Sequence, residues 1–100
     1  MRFNLTYEQA QALFAVLKIV LDEPAEDLQD KQHKMILKKV FARLRAKLEC
    51  RSPRDWSVTL SDIEAVTWEL FWNCRSLDPS LHYEQNMINQ QIALIDKEYA

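Results

Sequence analysis

Not one of the 100 residues is glycine, and no other feature of the chain so narrows what it can fold into. Glycine enters positive φ without steric cost and lets a backbone approach a ligand closely, so left-handed turns must be rare here or built from Asn and Asp. Phosphate-cradling loops, dinucleotide fingerprints, nucleophile elbows and EF-hand loops all use such positions. The site classes behind many common enzymes are therefore disfavoured.

A chain of this length predicts one domain, 1–100, around a single core. With 48% hydrophobic residues and a net charge of −2 it has the balance of a globular protein. Met1 to Leu5 lacks the apolar run and cleavage site of a signal peptide. The longest apolar stretch, Ala12 to Leu21, is broken by Lys18 and falls short of the ~20 residues that cross a bilayer. The expectation is a cytoplasmic protein without a membrane span, with Cys50 and Cys74 as reduced, packed thiols.

Start and stop signals divide the chain into an all-α, four-helix bundle-like domain. Thr6 with Gln9 forms a capping box, which starts the first helix near Tyr7, and Pro24 ends it near Asp22. The same proline suits the first turn of a second helix, 25–50. A connection bearing Ser and Pro follows, and Ser61 with Glu64 forms a second capping box that opens a helix over 62–75. Asp78 and Pro79 read as N-cap and first residue of a fourth helix, 79–98. The segments 3–5 and 57–60 share the order apolar, polar, apolar before their caps, and are expected to be extended and paired side by side.

More apolar surface is present than four helices readily hide. The first helix is apolar nearly all round, with Gln11, Lys18 and Asp22 in one narrow strip, so it is either central or the seam of a homodimer. The third helix sets Trp68 and Trp72 on one side and Ile63, Val66, Leu70 and Cys74 on another. Trp56, Trp68 and Trp72 read as core filling or as interface anchors. The fourth helix has an inward stripe of Leu81, Ile88, Ile92, Ile95 and Tyr99, and a second of Tyr83, Met87 and Leu94 at the edge of the core or against a partner.

Charge is unevenly placed. Lys31 to Arg54 hold nine Lys or Arg and one acid, whereas the remainder holds four bases and fourteen acids. On the second helix Lys31, Lys34, Lys38 and Arg45 form one stripe beside the apolar face, and Lys39, Arg43 and Lys47 form the other. This basic helix suits an acidic protein surface or, alternatively, nucleic-acid phosphates. Acids early and bases late also satisfy the helix dipole, and the net negative charge argues against a dedicated nucleic-acid binder. The reading ranked third is that the acidic cluster from Asp22 to Asp30 instead contacts a basic site on the partner, including one that normally holds nucleic acid.

No spacing of His33, Cys50, Cys74 and His82 suits a metal site; Cys50 stands beside Arg51 and Cys74 beside Arg75, which could lower a thiol pKa, but neither has a neighbouring general base and an evident oxyanion donor pair. The residues thus predict no catalytic centre, metal or cofactor. They predict a small non-enzymatic interaction module, an adaptor, regulator or inhibitor, docking through Lys31, Lys34, Lys38, Lys39, Arg43, Arg45 and Lys47 with Trp56, Trp68, Trp72, Tyr83 and Met87.

Overall fold

Both capping boxes close as their spacing requires. Gln9 N–H donates to Thr6 Oγ1 at 3.2 Å while Thr6 N–H donates to Gln9 Oε1 at 3.0 Å. The Ser61 and Glu64 pair repeats this at 3.3 and 2.9 Å. In the computed structural model, which describes residues 1–50, 56–75 and 77–99, these boxes open α1 (Tyr7–Asp22) and α3 (Asp62–Asn73). The connection 51–55, with Arg51 and Arg54 of the basic run, lies outside the described residues.

The other two helices start three residues later than their prolines suggest. α2 spans Leu28–Glu49 and is capped by Asp27, whose Oδ1 accepts from Asp30 N–H at 2.7 Å. Pro24 remains in the connection, because a carboxylate that satisfies a free N–H outweighs the mere compatibility of a proline with the first turn. α4 spans His82–Glu98. Asp78 Oδ1 accepts from the amide and hydroxyl of Ser80, at 2.9 and 2.8 Å, and Leu81 N–H donates to Asp78 O at 2.8 Å. The aspartate thereby closes a tight turn ahead of the helix, the same local bond that would otherwise cap it.

Two short strands, β1 (Arg2–Phe3) and β2 (Val58–Thr59), pair antiparallel with Phe3 opposite Val58. Each of these residues lies three before its helix cap. Equivalent positions facing one another across an antiparallel pair is what a two-fold relation between two strand–helix–helix halves demands. The helices pack in chain order: α1 lies against α2, α2 against α3, α3 against α4, and α4 closes back on α1.

The core is filled by Phe3, Leu13, Leu17, Leu37, Leu44, Leu60, Ile88 and Ile95 around Trp68. Trp68 and Trp72 are 0% and 3% exposed, meet edge-on with centroids 5.8 Å apart, and so belong to the interior and not to a partner surface. A helix with apolar residues on both sides buries the side of larger area, and two indoles exceed Ile63, Val66 and Leu70. Those three aliphatics are left exposed. Met87 is likewise buried, while its stripe companions Tyr83 and Leu94 stay half-exposed. α1 is central on its inner side and keeps an outer strip that includes Gln11, Lys18 and Ile19. Cys50 and Cys74 are free and exposed, not packed. No helix among the described residues is long and apolar enough to cross a membrane.

Candidate functional site

The cations of α2 divide by where their long side chains end. Lys34 is 4% exposed, and its ammonium donates to the carbonyls of Glu23 and Pro24 at 2.6 and 3.3 Å, beside the Asp30 carboxylate at 3.5 Å. It satisfies backbone acceptors where the chain leaves α1. Arg43 donates to Thr59 O at 2.6 Å and to the Glu64 carboxylate. Lys47 donates to Ser57 O. Three of the seven expected docking cations thus hold the fold together, because their stems run along the flanks of the apolar face until the charge meets an internal acceptor.

Four cations remain outward. Lys31, Lys38 and Lys39 are exposed and make no ion pair among the described residues. Arg45 pairs with Glu49 one turn away at 2.9 Å, both side chains well exposed. A solvated pair of this kind is worth little and yields readily to a competing carboxylate.

Two of these cations border a hollow of about 550 Å³ between α1 and α2. Its floor is Phe14 of α1 and Phe41 of α2, stacked with centroids 4.9 Å apart and planes 12° from parallel, both half-buried. Leu21 extends the apolar floor, Lys18, Lys38 and Arg45 supply the basic rim, and Asp22 and Glu49 the acidic one. Helical spacing places the rim: Lys18 follows Phe14 by four residues, Lys38 precedes Phe41 by three, and Arg45 follows it by four. Matching aromatic-plus-base patterns on two neighbouring helices were the available signal. Phe14, Lys18 and Phe41 were missed as site residues because neither helix shows by itself that the other lies beside it.

The remaining candidates scatter. Trp56 is half-buried against Tyr7, ring centroids 4.7 Å apart, and Tyr83 stands half-exposed on α4; neither lines the hollow. The acidic cluster is largely engaged within the chain. Arg75 bonds Glu23 at 3.2 Å and Asp30 at 3.0 Å, and its guanidinium lies 4.5 Å from the Phe71 ring centroid. Burial pushes the Asp30 carboxyl up, but the Glu26 amide, Arg75 and Lys34 outweigh it and hold the pKa below its ordinary value. Glu64 follows the same logic, with burial opposed by Arg43 and Ser61 and the pKa again lowered.

The fold also brings His33 and Cys74 to the edge of one small hollow of about 130 Å³, beside Asp30, Phe71 and Arg75. No hydrogen bond joins thiol and imidazole among the described residues, and Arg75 is held by acids. No group of three or more His, Cys, Asp or Glu among the described residues is placed to hold a metal ion. Compared with known proteins, the chain matches no family model, no curated protein and no solved structure.

Proposed function

We propose that this chain is a non-enzymatic docking module that receives an acidic amphipathic segment of a larger protein in the groove between α1 and α2. The observation that carries the proposal is the stacked Phe14 and Phe41 floor beneath Lys18, Lys38 and Arg45. An apolar floor rimmed by three cations and two acids suits a helix that presents leucine-like side chains flanked mainly by Asp and Glu. The aromatic rings supply desolvated contact area, and the cations supply orientation and encounter rate. Exposed, unpaired thiols at Cys50 and Cys74 are compatible with a reducing compartment, so the cytoplasm is the proposed location.

Nucleic acid is the weaker reading, since Lys34, Arg43 and Lys47 are committed to internal acceptors and only part of the basic helix can reach phosphates. Affinity capture from the native host with wild type and the K38E/R45E variant tests the choice. A partner protein retained by wild type and lost by the variant, with helical circular dichroism unchanged, supports the groove. A partner that stays on the variant removes it. Steeply salt-dependent anisotropy changes with short duplex or single-stranded probes would move the function to nucleic acid.

A further inference from the structure

The outward face of α3 is an apolar stripe that no element among the described residues covers. Ile63, Val66 and Leu70 are exposed by 65%, 40% and 47%. Their spacing, three then four residues, is that of successive seam positions in a two-stranded coiled coil.

The two edges of the stripe carry opposite charge. On one side α3 packs against α2, whose near flank carries Lys39 one turn from Arg43. α2 and α3 run antiparallel, since Arg43 reaches Glu64 and Asp30 reaches Arg75, so Lys39 comes level with the middle of α3. On the other side α3 packs against α4, and that edge carries Asp62, Glu69 and Asp96. None of these three acids pairs with a cation among the described residues; Asp62 accepts from the Tyr99 hydroxyl at 2.7 Å. Burial, then the charge and carboxyl of Asp96, hold the Glu69 pKa above its ordinary value, as befits an acidic edge that lacks a counter-ion.

We propose that this stripe is the interface of a homodimer in which the two copies of α3 lie side by side and point in the same direction. A two-fold axis along the helices exchanges left and right flanks, so Lys39 meets the partner subunit's Glu69 at the same height, twice. A two-fold across the helices would keep each flank on its own side, facing Lys39 with its own copy and the acids with theirs. Charge therefore selects both the occupant, a second copy of this chain, and its orientation. The seam is short, at the small end of specific interfaces, and a dissociation constant of ~10–100 µM is expected.

Sedimentation equilibrium of the full chain over ~1 µM to ~1 mM brackets that range. The mass rises toward twice the monomer value, and V66E, at a solvent-exposed position, returns it to the monomer at every concentration. K39E and E69K each weaken association about tenfold, and the K39E/E69K double restores it to within about threefold. These two charge reversals keep the test decisive should V66E perturb the helix. K38E/R45E, in the docking groove, leaves the dimer intact. A monomer at ~1 mM overturns the proposal, as does a dimer indifferent to V66E; single reversals that tighten the dimer, or a double that restores nothing, overturn the orientation.

Discussion

Lys34 and Gln91 are each 4% exposed, and they show opposite solutions to burying a polar group. Lys34 finds two carbonyls and a carboxylate, so its charge is compensated and it bridges the end of α1 to the start of α2. Gln91 faces the core from α4 with neither its amide nitrogen nor its oxygen bonded among the described residues. Removing a satisfied group exposes its partners' loss, whereas removing an unsatisfied one relieves a desolvation penalty. Lys34→Met should therefore destabilise by about 2 kcal/mol and Gln91→Met should stabilise by about 1 kcal/mol, both read as urea midpoint shifts at unchanged slope. A gain from Lys34→Met would show that the ammonium contributes nothing to the fold. No pattern in the sequence separates these residues: Lys34 looks like one more cation on a basic stripe, and Gln91 one more amide in a polar run.

Helix ends were legible wherever a single local bond decided them. Thr6 and Ser61 each sit three residues before a Gln or Glu, and both boxes form. Substituting Ser61 by Ala should cost about 1 kcal/mol and Thr6→Ala about the same, measured by thermal or urea unfolding. Equal losses would also fit the two-fold relation between the halves, since each box follows a strand residue that faces its counterpart across β1 and β2. Where two local bonds competed, the signals misled. Asp27 displaced Pro24 as the start of α2, and Asp78 closed a turn instead of capping α4. The spacing of acid and proline is compatible with both outcomes, and the bond that each carboxylate makes decides between them.

At the scale of the whole molecule, charge ties the elements together through Asp30 with Arg75 and Glu64 with Arg43. Both carboxyls have pKa values lowered on folding, so the stability they contribute is present above the unfolded carboxylate range and is lost as pH falls through their folded values. Glu69 acts in the other direction: its pKa is raised by burial and then by Asp96, so acidification relieves the cost of holding that charge. With three carboxyls lowered, the third being Asp78 through the amide and hydroxyl of Ser80, against one raised, the urea midpoint should hold steady from pH 7 to about 5 and fall below about pH 4. Glu64→Gln should flatten part of that fall, and an unchanged acid limb in this variant would remove Glu64 from the account. The sequence by itself determined the helical class, the number of helices, two of their starts and the paired leads, because periodicity and capping are satisfied within a few neighbouring residues. Only the tertiary structure decided that two tryptophans are core, that three aliphatics of α3 are surface, that three of seven cations point home and that two phenylalanines from different helices meet. A helix wheel records which residues share a side, but the choice of the buried side depends on the area and acceptors its neighbours offer, and those come from distant parts of the chain.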